Sequence, residues 1–237
     1  MSSNDDAVRA AERRAASFSR TKKITAHARG ARSAFVFVVA YAALTGLGYA
    51  NGEWYVAGWL RIFLVETISL LPRGFVAESI RLETQHSQRL IVVNTHTSLA
   101  LYPRGIVPPD KPYEISTLQA YAISHAALVF SILAAWPTGG SPYRRILLLL
   151  LGIPCVLVST SLDVPFVLAG LARRLIVAAV DPEAAGRDPL LLYYEFLQRG
   201  GRYGVIVALA LLAAAAGSAR AARTVDSSVS NTEETLT

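Results

Sequence analysis

Few residues in this chain have the types and spacing that do chemistry. Its one cysteine, Cys155, directly follows Pro154 inside an apolar stretch. A cysteine nucleophile needs an adjacent base and a lowered thiol pKa. Of the four histidines (His27, His86, His96 and His125), only His125 lies in a comparably apolar stretch. A Cys155–His125 pair is therefore the arrangement that would support covalent catalysis. Without it, a free cysteine serves as a small apolar filler. A lone cysteine excludes an intrachain disulfide and a cysteine-based zinc site. The histidines show neither i,i+4 nor His-x-His spacing, so the sequence implies no metal and no cofactor.

Other polar residues stand out against their surroundings. Arg61 and Glu66 lie five apart in the apolar segment Trp54–Leu71, a spacing that does not stack on one helical face. Inside a bilayer each charge needs a partner and marks a functional position; in an interfacial helix both simply reach water or headgroups. His96 belongs to Asn94-Thr-His-Thr-Ser98, a polar run that suits either a ligand site or a solvated turn. Asp163, two residues before Pro165, reads as the cap of the following helix rather than as a proton carrier. Arg173, with Arg174, interrupts the apolar run that follows Asp163 and is a candidate for engaging a partner or ligand.

The elements that must carry these residues are apolar. Four uncharged stretches, Ser33–Ala50, Gln119–Trp136, Ile146–Leu162 and Tyr203–Ala219, each have about the length that crosses a ~30 Å hydrocarbon core as a helix. Hydrophobic residues make up 53% of the chain and charged residues 17%, against roughly 25% charged in soluble domains. The expectation is a mainly α, polytopic helical membrane protein. The net charge of +6 does not point to nucleic acid, because eight Lys/Arg against three acids fall in residues 1–32, directly before the first apolar run. That placement reads as a cytoplasmic flank, attracted to anionic headgroups. The basic region is too long, and the apolar run exceeds the 7–15 residues of a signal h-region, so a retained signal anchor is expected.

Residues 1–32 then form a basic cytoplasmic arm, expected to be disordered. Residues 33–72 hold the anchor span and a second apolar helix. Residues 73–118 form a small β-containing segment, residues 119–219 the further membrane helices, and residues 220–237 a disordered tail. Within the β segment, Ser79–Gln85 alternates apolar and polar residues and Arg89–Asn94 is β-branched, which predicts a hairpin turning near His86-Ser87-Gln88. The proline-rich run Tyr102–Pro112 reads as loop. A two-stranded hairpin is marginal alone, so it must lean on the helices or on a partner. Pro154 and Pro165 predict a kink or break in the long fourth stretch. Basic flanks at both ends favour an even number of spans. The four-span arrangement places the β segment outside and Arg144-Arg145 inside; the six-span alternative strands Arg173-Arg174 near mid-membrane at roughly 2.5–3.5 kcal/mol each. The small-residue spacings Ala42–Gly46 and Ala213–Gly217 suit close helix packing.

The layout across residues 33–217 resembles the small multi-pass membrane proteins that accompany exosortases, the bacterial envelope protein-sorting enzymes. The likeness runs through a signal anchor, a short β segment, a span ending in Ala135-Trp-Pro137, a basic pair, a kinked span with Asp163-Val-Pro165, and a last span introduced by Phe196-Leu-Gln-Arg-Gly-Gly-Arg202. Exosortases carry a cysteine followed by an arginine and then a histidine. Here no histidine follows Cys155, so the enzyme's residues do not carry over. The resemblance implies an accessory role at a bacterial inner membrane, with the amino terminus cytoplasmic and a membrane or envelope protein as partner. The contrasting readings are a small-solute transporter subunit, against which the absence of an internal repeat counts, and a cysteine-dependent intramembrane enzyme.

Overall fold

The apolar stretches fold as helices, and the prolines and glycines decide where these stop. The computed structural model describes the backbone of residues 3–72, 74–97, 112–138, 141–180 and 182–234, with side chains described between Gly30 and Ser218 apart from 178–182, 184 and 185. The elements run α1 (Ser3–Ala57), α2 (Leu60–Leu70), β1 (Phe75–Gln85), β2 (Gln88–Thr97), β3 (Pro112–Leu118), α3 (Gln119–Ala135), α4 (Pro142–Ser161), α5 (Val164–Val180), a 3₁₀ turn (Pro182–Arg187), α6 (Pro189–Phe196), a π turn (Leu197–Gly201) and α7 (Arg202–Glu234).

Among the described residues, three helical stretches are long and apolar enough to cross a membrane: Gly30–Ala57, Pro142–Val177 and Pro189–Ser218. The stretch Gln119–Ala135, expected as a fourth span, is apolar but shorter. The backbone of the basic arm and of the tail is helical, from Ser3 and on to Glu234. Both segments extend a helix already nucleated by an apolar stretch, and the arm is rich in Ala and Arg, which favour propagation. Trp54–Leu71 is not one helix, because the chain breaks at Gly58-Trp59 between α1 and α2.

The helices sort into a bundle and a cap. α3, α4 and α7 pack on one another and α1 lies against α3, with Val129, Leu133, Val156, Ile206, Ala210 and Ala214 buried where α3, α4 and α7 meet. Ala213–Gly217 is a close-packing face as expected, since a Cβ on Gly217 would clash with Leu148. Ala42–Gly46 is not: both residues are exposed, and α1 instead approaches α3 through Gly48 and Gly52, against Ile123 and Gln119. The cap is α2, α5, α6 and the sheet.

That sheet has three antiparallel strands in the order β1-β2-β3, rather than two. β1 and β2 join through the two-residue turn His86-Ser87, both at positive φ (48° and 66°), the type I′ geometry that matches strand twist. β2 therefore has no free edge: Val93 pairs with Ile80 on one side and Ile115 on the other. Ile91, Val93, Ile115, Ile80 and Leu82 pack onto Val56 of α1, Phe63 of α2, Val164 and Leu168 of α5, and Ala122 and Ile123 of α3. On the other face Arg81 bridges Glu83 (3.0 Å) and, across β2, Glu114 (2.8 Å). Val92, on that face opposite Arg81, is only 1% exposed. The Tyr102–Pro112 run, apart from Pro112 at the start of β3, lies outside the described residues.

Candidate functional site

The charged residues closed off from solvent meet where bundle and cap join. Pro165 lacks an N–H, and its ring would clash with the carbonyl of Ser161 in a continuous helix. The chain accordingly leaves α4 at Leu162 and restarts as α5 at Val164, with Asp163 between. The expectation that Asp163 caps α5 holds only for its backbone, whose carbonyl accepts from Val167 N at 2.9 Å. Its side chain turns inward instead. Asp163 Oδ2 lies 3.0 Å from His125 Nε2 and 3.4 Å from Arg202 Nη1, with side-chain exposures of 3%, 0% and 3% for Asp163, His125 and Arg202. A second break supplies the arginine: the π turn Leu197–Gly201, with Gly200 at φ +98°, turns the chain so that Arg202 opens α7 facing Asp163. Glycine is needed there because an L side chain rarely adopts that φ.

Each member has further support. Arg202 Nε donates to Leu197 O (3.2 Å), and its guanidinium lies 3.6 Å over the Tyr121 ring, a cation–π contact strengthened by desolvation. His125 Nδ1 sits 3.2 Å from Thr160 Oγ1, and that hydroxyl also donates to Val156 O at 2.7 Å. Tyr193 OH closes the first break by donating to Leu162 O at 3.0 Å. The two ion-pair contacts are short but bent: Asp163 Oδ1 and Oδ2, His125 Nε2 and both Arg202 Nη atoms lack a hydrogen bond of good geometry. The cluster is thus held by charge and burial, with hydrogen-bonding capacity left over.

Thr160, His125 and Asp163 stand in the order hydroxyl–imidazole–carboxylate, the order of a general-base relay. The hydroxyl, however, is fully buried and already donates to Val156 O. Asp163 and Arg202 bring opposite charges together, as a desolvated site requires. Among the described residues no three of His, Cys, Asp and Glu converge.

The sequence candidates are therefore divided. His125 and Asp163 come together. Cys155 does not join them: His125 faces Thr160 and Asp163, while Cys155 Sγ points at Leu209 O, 3.6 Å away, among apolar neighbours. Arg61 is exposed on α2, and Glu66, half-buried on the same helix, does not pair with it; Glu66 Oε2 is buried without a hydrogen-bond partner. His96 lies 2.9 Å from Glu78, the extra residue of a bulge in β1. Arg173 pairs at 2.6 Å with Asp188, whose other oxygen caps Leu190 N and Leu191 N of α6. Burial raises the Asp188 carboxyl, but the Arg173 hydrogen bond and these amides outweigh it and hold it below the usual range. Arg202, Thr160 and Tyr121 were invisible as site residues from sequence. Arg202 in particular reads as the boundary charge of the last apolar stretch, and only Gly200-Gly201 before it hinted at an unusual turn. Neither a protein-family model nor a curated protein nor a solved structure matches this chain.

Proposed function

We propose that this chain is a non-enzymatic, multi-pass integral membrane protein of a bacterial inner membrane, serving as an accessory, partner-binding component of an envelope protein-sorting system. Its amino terminus is cytoplasmic and its sheet lies on the outer side. One observation supports the reading: Asp163 and Arg202, the buried charged residues among those described, pair with each other beside His125 where the bundle and the cap join. The cluster acts as a polar lock that fixes the cap on the bundle. The sheet then stands rigid, and its outer face, bearing Arg81, Glu83, Asn94 and Glu114, is the recognition surface. The sorting system itself is supported by the layout across residues 33–217, with its anchor, β segment, kinked span and final span.

The test places a photo-crosslinking residue at Asn94 on the outer sheet face and, as control, at Ile146 on the exposed side of α4. A discrete adduct from Asn94 to an envelope-sorting protein, reduced by Arg81→Glu, is the expected result. Adducts that are indiscriminate, or equal from both positions, would refute the surface. Cysteines at Ser87 and Tyr143, in a Cys155→Ala background, report the sidedness: an impermeant thiol reagent should label Ser87 and not Tyr143 in intact cells.

A second reading, solute or proton transport, is favoured by one observation. Two broken helices face each other with Asp163 and Arg202 at the breaks, as in transporter binding sites. The double substitution discussed below separates the two readings.

A further inference from the structure

Two adjoining clefts, of about 500 and 450 Å³, open beside the first turn of α3 and share Arg89 and Gln119. The larger is walled by Tyr49 of α1, the Ser87-Gln88 end of the hairpin, and Leu118, Ala120 and Ile123. Arg89 is the charged residue on its wall. Its carboxylate partner is Glu53, 3.5 Å away, and both side chains are well exposed at 43% and 66%. Such a pair is weak and readily exchanged for a better anion. Gln119 is 2% exposed, and neither its amide nitrogen nor its amide oxygen has a partner. The amide is wedged against α1, where a Cβ on Gly52 would come within 2.7 Å of Nε2. The N-terminus of α3 carries no side-chain cap, so its positive end adds to the attraction for an anion.

Position along α1 narrows the ligand. Tyr49 (58% exposed) and Trp54 (83% exposed) lie toward the end of the apolar stretch Gly30–Ala57. Exposed aromatic residues at the end of an apolar helix mark headgroup depth. We propose that the larger cleft is a phospholipid site. The phosphate displaces Glu53 from Arg89 and sits at the start of α3. Gln119, freed from its wedge, donates to a phosphate or ester oxygen, and the glycerol root rests on Tyr49 and Ile123. The acyl chains run down the exposed apolar face of α1. This inference rests on the membrane reading of α1 but not on the partner or the sorting role.

The test is native mass spectrometry of the full chain in non-ionic detergent, titrated with phosphatidylglycerol and, in a separate arm, with glycerol 3-phosphate. Wild type should retain the lipid, while Arg89→Gln and Gln119→Leu each weaken it by about tenfold or more, the loss of a hydrogen bond to a charged group. Arg145→Gln, a basic residue outside the cleft, should change nothing. Gln119→Leu removes an unmet buried amide, so thermal stability should hold or rise, and lost binding is not misfolding. Equal lipid retention in all variants overturns the site. Glycerol 3-phosphate binding as tightly as the lipid overturns the lipid assignment in favour of a soluble phosphate ester. Failure of the membrane reading shows separately, as wild-type protein that does not float with liposomes.

Discussion

Removing one charge from the Asp163–Arg202 pair should be far more damaging than removing both. The pair lies 3.4 Å apart with both side chains 3% exposed, so neither charge recovers solvation when its partner is lost. Arg202→Met leaves Asp163 with only His125 at 3.0 Å; Asp163→Asn leaves a buried guanidinium over Tyr121. Breaking a buried pair in this way costs ~3–5 kcal/mol, whereas replacing both partners by neutral groups of similar volume is often close to neutral. We therefore expect each single variant to lose ~3–5 kcal/mol and the double variant, Asp163→Asn with Arg202→Met, to fall within ~1 kcal/mol of wild type. The interaction term of the cycle would then be ~5 kcal/mol or more in magnitude. The measurement is unfolding of detergent-purified protein under graded denaturing detergent, with inactivation rates used if unfolding is irreversible. Additive losses, or singles costing less than ~1 kcal/mol as exposed pairs do, would refute the burial argument. The double variant also separates the functional readings. A lock replaced by neutral packing keeps partner binding, whereas a transport site without its charges is inactive in a stable protein.

Three further outcomes follow from the cap. Asp188 has a folded-state pKa below its unfolded value of about 3.9, so its stabilisation is present above that value and is lost as pH falls through the lower folded pKa; limited proteolysis at the α5–α6 junction should rise in acid below about pH 4, and Asp188→Asn should abolish that dependence. Ser87 sits at φ 66° in the hairpin turn, so Ser87→Gly should stabilise the protein by about 0.5–1 kcal/mol in the same denaturation assay, and a destabilisation would contradict the turn geometry. Val93→Lys puts a charge into the layer between sheet and helices and should cost ~3–5 kcal/mol, whereas Val92→Lys gives up a buried valine but can carry its ammonium out toward Glu83 and Glu114 on the outer face, and should cost clearly less; equal losses would mean that the two faces are not distinguished.

What could be read from the sequence was whatever one element decides by itself. The apolar stretches, the break near Pro165 and the turn at His86-Ser87 each follow from local composition, and each is present. Strand β3 escaped notice because it is short and Ile115 and Leu118 are its only strongly apolar residues; the alternation of Tyr113, Ile115 and Thr117 was the available signal. The Asp163 side chain was misread for a different reason. A carboxylate before a helix looks like a cap, and nothing local says that an arginine 39 positions later will compete for it. Arg173, singled out for a partner or ligand, pairs with Asp188 within its own cap, a contact that no local pattern announces.

The two helix breaks are better regarded as one feature. A broken apolar helix exposes carbonyls that must find donors where water is scarce. Here Leu162 O at the first break takes the hydroxyl of Tyr193, which comes from the α6 side, and Leu197 O at the second takes Arg202 Nε from the start of α7. The same arginine then balances Asp163, which stands in the first break. Each break thus depends on a group presented by the other helical stretch, and a straight helix on either side would leave a carbonyl, an aspartate or an arginine unmatched. This mutual dependence explains why a charged pair persists in a setting where apolar packing is available. It sets the angle at which α5 and α6 leave the bundle, and hence the position of the sheet that α5 supports. A charge pair kept for geometry requires shape and neutrality rather than charge itself, whereas a pair kept for transport requires the charges.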